Sequence, residues 1–217
     1  MTLRARRRLI LFFKEPRMGS TKRRLARDVG PVAALRFYRA NLRSLAHRLG
    51  RDPRWQTSVA VAPDRAAARP VALRRLGFAA DTPIAPQGAG DLGARMARAL
   101  HAASVPSVLI GGDIPGIAPA DIERAFRALM RHELVLGPAA DGGFWLVGVR
   151  RTAPLPRLFR GVRWSSRFAL SDTLANLAPG TRLALLDWRE DVDDGEAFAR
   201  WLRAAPGGAR RFSRRAL

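Results

Sequence analysis

Residues 8–25 read RLILFFKEPRMGSTKRRL. RLILFF (8–13) is a short, continuous β-rich apolar run, and the polar loop after it leads into helical sequence. Strand, loop and helix in that order make the first unit of an α/β domain. The loop also holds the chain's only lysines, Lys14 and Lys22. Where arginine is otherwise used throughout, two lysines in one loop mark positions that need a compact charge on a flexible stem, suited to a phosphate. The loop's N–H groups, Gly19 and its cations are able to surround such a group. The spacing is not GxxxxGK[ST], and a solvated basic loop is the plainer alternative.

Working outward, similar apolar runs appear at TSVAVA (57–62), SVLIGG (107–112), ELVLG (133–137), FWLVGV (144–149) and RLALLD (182–187). Helical periodicity lies between them. Residues 31–49 open on Pro31, carry Leu35, Tyr38, Leu42, Leu45 and Leu49 on one face, and stop at Gly50. Residues 91–103, 119–131 and 194–204 read the same way. Continuous apolar strands are covered on both faces, so a mostly parallel sheet with helices on both sides is expected. Ligands of such sheets bind beyond the carboxyl ends of the strands.

The 217 residues are 47% hydrophobic and 26% charged, enough for one folded domain spanning 1–217 with basic arms at 1–8 and 205–217. The absence of cysteine excludes thiolate zinc sites, iron–sulfur clusters and cysteine nucleophiles. No apolar run approaches a membrane span, and a cytoplasmic protein is expected. The formal charge of +21 raises nucleic acid as a partner. The arginines are spread along the whole chain, however, and the abundance of Ala, Arg, Gly and Pro suits a coding bias. A basic, non-catalytic nucleic-acid binder is kept only as the alternative of a different class.

The loops after the strands hold the candidate chemistry. Asp113 in GGDIPGI (111–117) follows a strongly apolar strand, where a carboxylate is placed to hold Mg²⁺ or Mn²⁺. A turn or a helix cap, by Asp113 or Asp121, is the bland reading. Asp141, Gly142 and Gly143 in GPAADGGFWLVGV (137–149) permit close approach of a ligand, yet Asp-Gly between two strands reads first as a hairpin. DWREDVDDGEAF (187–198) concentrates acids in a basic chain. Helix-start chemistry explains such a cluster, or it supplies a second metal ligand, for which Asp193 is the choice. GAGDLG (88–93) matches a dinucleotide fingerprint, but the preceding DTPIAPQ carries two prolines where a central strand is required. Its glycines are expected to form a loop over a substrate, with Asp91 capping the helix that carries Arg95 and Met96. His47, His101 and His132 lie away from these loops.

Taken in order, FxKxPxxGxxKxRL, QxxGDLGxRM, GGDIP, GPAxDGGFxLVGV, VRWSS and DVDD resemble the bacterial GT-A-fold glycosyltransferase-like proteins of the arsenosugar-biosynthesis or radical-SAM/selenodomain-associated type. The resemblance runs from about Leu9 to Leu202 and extends, within the same superfamily, to 2-phospholactate guanylyltransferase and other nucleotidyltransferases. It implies a three-layer nucleotide-diphospho-sugar transferase fold acting on a nucleotide sugar or an NTP and a small acceptor, with Mg²⁺ or Mn²⁺. By motif, Lys14, Gly19, Lys22 and Arg24 would bind phosphates, and Asp113 and Asp193 the metal. Gln87, Gly88, Asp91, Asp141, Gly142 and Gly143 would line the substrate side. Asp113 and Asp141 are the candidate catalytic residues, Asp113 through the metal and Asp141 to bind or deprotonate the acceptor hydroxyl. The chain departs from the family pattern at Arg23, where threonine is usual, and at DDGEA (193–197), where the pattern resembles DTPED.

Overall fold

The computed structural model describes residues 7–101, 105–150 and 155–204. In chain order, β1 (Arg8–Lys14) leads through the basic loop to α1 (Arg23–Val29) and α2 (Pro31–Leu49). Next come β2 (Gln56–Ala62), α3 (Pro70–Arg74), β3 (Ile84–Pro86) and α4 (Leu92–His101). These are followed by β4 (Ser107–Gly111), α5 (Pro119–Ala128), β5 (Leu134–Pro138) and β6 (Phe144–Val149). The last elements are α6 (Leu155–Leu158), α7 (Ala169–Ala175), β7 (Leu183–Leu185) and α8 (Gly195–Ala204). The arm expected at 205–217 lies outside the described residues. The one expected at 1–8 is described only at its end, where Arg8 is already a strand residue whose Nε donates to Ser58 Oγ at 3.1 Å.

The seven strands form one sheet in the order β3-β2-β1-β4-β6-β5-β7. Neighbours are parallel except around β6, which runs antiparallel to both β4 and β5. The mostly parallel expectation holds, and so does the hairpin reading of Asp141–Gly142, which sits in the turn between β5 and β6.

Alternation along β1 builds the layers, because successive side chains point to opposite faces. Leu9, Leu11 and Phe13 join Tyr38, Leu42 and Leu45 of α2 and Ile122 and Phe126 of α5 in one core cluster. Ile10 and Phe12 join Met96 and Leu100 of α4, Leu136, Val147 and Phe159 in the other. A third cluster packs Phe198 of α8 on Leu25, Ala34 and Phe37. That contact brings α8 back onto α1, the helix that follows the basic loop.

The topology collects the loops. β1, β4, β5 and β7 end on one edge of the sheet, and the antiparallel β6 begins there. Lys14, Asp113, Asp141 and the acidic segment after β7 therefore all lie at the carboxyl edge.

Candidate active site

A cleft of about 910 Å³ opens at that edge. Its lining includes Lys14, Lys22, Arg23 and Arg24 from the first loop, Asp113 after β4, Asp141 and Gly143 from the hairpin, and Asp191 and Asp193 after β7. A second cleft, of about 800 Å³, contains Arg17, Asp64, Arg65 and Gly88, and shares Lys14, Ser20 and Arg95 with the first.

Lys22 is the centre of the arrangement. Its Nζ lies 2.6 Å from Asp193 Oδ1 and 2.8 Å from Asp113 Oδ1, with only 2% of its side chain exposed. Burial works against its charge, but Asp113 and Asp193 outweigh it and hold the ammonium's pKa above the ordinary lysine value. The backbone there is left-handed, at φ 50° and ψ 49°, an uncommon state for a residue with a Cβ. The lysine expected to reach freely for a phosphate is thus bound to the two expected metal ligands.

Those carboxylates remain 55% and 46% exposed. Asp191, half-buried on the other side of the buried Val192, is pushed up to about 6 by its burial and by the charges of Asp193 and Asp141. This crowding of like charge is one that a divalent cation would relieve, and an all-carboxylate donor set suits Mg²⁺ or Mn²⁺. Among the described residues, no three His, Cys, Asp or Glu side chains form a closed metal cage. Hard cations that keep waters and substrate phosphates in their shell do not require one.

The rest of the acidic cluster is structural. Asp194 Oδ1 accepts from Ala197 N–H at 2.8 Å at the start of α8, Glu190 pairs with Arg200, and Asp187 pairs with Arg124. Asp121, like Asp113 open to reading as a helix cap, does cap its own helix by accepting from Ala118 N–H at 2.8 Å. The helix-start reading of the cluster thus belongs to Asp194, while Asp193 is turned to the cleft and Lys22.

The expected substrate side divides in the same way. Asp91 caps α4, with Oδ1 accepting from Ala94 N–H at 2.8 Å, and it also lines the main cleft. Gln87 lines the cleft too, but its Nε2 donates to Phe13 O at 3.0 Å and Ala60 O at 3.1 Å, tying the ends of β1 and β2 to the glycine loop. Asp141 Oδ1 accepts from Gly143 N–H at 2.8 Å, and both residues face the cleft. Three of the glycines stand apart from the main cleft. Gly88 borders only the second cleft, and Gly19 and Gly142 line neither. Gly142, at φ +82°, is required by packing, since a Cβ there would stand 2.2 Å from Arg167 O.

Several lining residues carried no strong signal in the sequence. The Tyr38 hydroxyl donates to Lys14 O at 3.2 Å and accepts from Lys14 N–H at 3.3 Å, fixing the end of β1. Burial and the nearby Asp113 charge raise this phenol well above its ordinary pKa. Trp164, Ser165 and Ser166 form one wall, with Ser165 at φ 58°. Asp191 was visible only as one acid of the cluster, and the VRWSS motif was the only pointer to the wall.

The fold is that of the nucleotide-diphospho-sugar transferase-like proteins. A protein from Desulfovibrio desulfuricans G20, provisionally described as such a transferase, superposes with a TM-score of 0.85 at 25% identity over 95% of this chain and 90% of that one. Rv0371c from Mycobacterium tuberculosis H37Rv, crystallised with manganese, shares the fold at TM-score 0.51 and 19% identity, over 91% of this chain and 99% of that one. CMP:2-keto-3-deoxy-manno-octonic acid synthetase complexed with CTP does so at 0.54 and 13%, over 89% and 96%. No curated protein sequence matches the chain. Residues 45–166 match the family described as an uncharacterized protein conserved in bacteria (DUF2064), and the chain belongs to that family.

Proposed function

We propose that the protein is a metal-dependent glycosyltransferase that moves a sugar from a nucleoside-diphosphate sugar to a small acceptor. One observation carries this reading: Asp113 and Asp193, far apart in sequence, converge on one ammonium in a cleft that also presents Lys14, Arg24 and Asp141. The description of the Desulfovibrio neighbour supports the donor class, and the manganese bound by Rv0371c supports a divalent cation.

Asp113 and Asp193 are the residues that would hold Mg²⁺ or Mn²⁺, which supplies charge neutralisation for a diphosphate leaving group when bound. Lys14 and Arg24, with Lys22 once it is free, add donors to the same phosphates, where charge develops as the group departs. In the transfer, the bond from the anomeric carbon to the diphosphate oxygen breaks, and the diphosphate keeps the electron pair. The acceptor oxygen bonds to that carbon and loses its proton. We assign Asp141 to bind the acceptor hydroxyl and take the proton, its carboxylate being oriented by Gly143 N–H.

The fold shared with the CTP-bound synthetase favours one second reading, nucleotidyl transfer from an NTP with release of pyrophosphate. The products separate the two. With Mn²⁺, a panel of nucleotide sugars and NTPs and a mixture of small hydroxylated and phosphorylated acceptors, we expect release of a nucleoside diphosphate from one nucleotide sugar. Pyrophosphate from an NTP would transfer the assignment to the second reading, and neither product would refute both. Cytoplasmic action is part of the proposal; no described helix is long and apolar enough to cross a membrane.

A further inference from the structure

We propose that Lys22 is a resident cation which holds Asp113 and Asp193 together until a divalent cation takes them, its ammonium then turning to phosphate. The inference rests on the reading that these two aspartates are the cation's ligands.

The buried member of the trio is the lysine, at 2% exposure, while both carboxylates face the cleft. One positive charge between two negative ones leaves a single net negative charge. An incoming divalent cation must therefore approach against an ammonium 2.6 and 2.8 Å from its own ligands. Moving the ammonium removes that repulsion and restores the full charge of both acids. Lysine is built for such a move, since its head swings on a four-carbon stem while the backbone stays still.

The backbone supplies an independent sign. Lys22 begins α1 in the left-handed region, with its carbonyl accepting from Ala26 N–H at 2.8 Å. Such a conformation persists in a residue other than glycine where its surroundings over-determine it. Glycine would sit there more easily, so the side chain contributes something that glycine lacks. The ion pairs to Asp113 and Asp193 are the contribution on view.

The test uses Mn²⁺ alone, with no nucleotide, and reads bound metal by electron paramagnetic resonance on the wild type, Lys22→Met and Lys22→Arg. Lys22→Met is expected to bind Mn²⁺ at least about tenfold more tightly than the wild type. Lys22→Arg, which keeps the charge, is expected to stay close to the wild type. Equal or weaker binding by Lys22→Met, or no Mn²⁺ bound by either protein, overturns the proposal.

A second readout needs no variant. With two lysines in the chain, selective lysine labelling gives two side-chain NMR signals. Saturating Mg²⁺ is expected to abolish the ion-paired ammonium signal of Lys22, and its persistence would contradict the exchange. Because neither experiment contains a nucleotide, competition at the aspartates stands or falls separately from the transferase reading.

Discussion

Asp113 owes its position to the residue before it. Gly112 O accepts from the buried Asn41 Nδ2 at 2.8 Å, and a Cβ on Gly112 would lie 2.8 Å from Leu42 Cδ2 and 2.9 Å from Phe13 Cβ. Strand β4 thus leaves the sheet with its backbone pressed against α2, and the next side chain is turned to the cleft. Gly112→Ala is expected to destabilise the protein by about 1–3 kcal/mol through overpacking, as read by urea unfolding. A variant as stable as the wild type would mean that α2 yields at this contact. At this scale the sequence exposed chemistry better than contacts. Lys14, Lys22 and Asp113 stood out by residue type and by place after a strand. The ion pairs of Lys22 did not, because they join the first loop to segments after β4 and β7, and no local spacing encodes such a meeting.

Among elements, periodicity was the readable signal. α2 spans Pro31–Leu49, the limits set by its proline, its apolar stripe and the glycine that follows. β1, β2, β4, β5 and β6 fall within a residue of their apolar runs. The three-residue β3, with a proline, was hidden because an edge strand needs neither continuous apolar sequence nor every N–H. The wall at Trp164–Ser166 was hidden because it is irregular backbone held by an ion pair. Arg163 donates through Nη2 to Asp172 Oδ1 at 2.7 Å and through Nε to Oδ2 at 2.9 Å, bracing the segment before α7. Its side-chain hydrogen bonds hold the Asp172 carboxyl down at about 2, against an ordinary 3.8. A depressed carboxylate pKa contributes stability above its ordinary value, and that contribution is lost as pH falls toward the folded one. Asp172→Asn is therefore expected to lower Tm by about 1–3 °C at neutral pH, the arginine of the pair being exposed to solvent. The deficit should close as pH drops from about 4 toward 2. A deficit independent of pH in thermal unfolding would show that packing, not charge, braces the wall.

For the whole molecule, charge is distributed in a way its total conceals. The chain carries a formal +21, yet Asp91, Asp113, Asp141, Asp191 and Asp193 line the main cleft among Lys14, Lys22, Arg23, Arg24 and Arg95. A groove for a nucleic-acid backbone calls for a basic stripe, whereas interleaved acids and cations suit a metal with phosphates. The decisive measurement is thermal unfolding of the wild type and Asp113→Asn with Mn²⁺ and a panel of nucleotide sugars, nucleoside diphosphates and NTPs. A ligand present at about a hundred times its Kd adds about 2.7 kcal/mol, a rise in Tm of roughly 5–10 °C for a chain of this size. The wild type is expected to show that rise with one nucleotide family, only with the metal present, and Asp113→Asn is expected to lose it while remaining folded. An equal rise in Asp113→Asn, or none in the wild type with any nucleotide, would contradict a metal-dependent nucleotide site at this edge of the sheet.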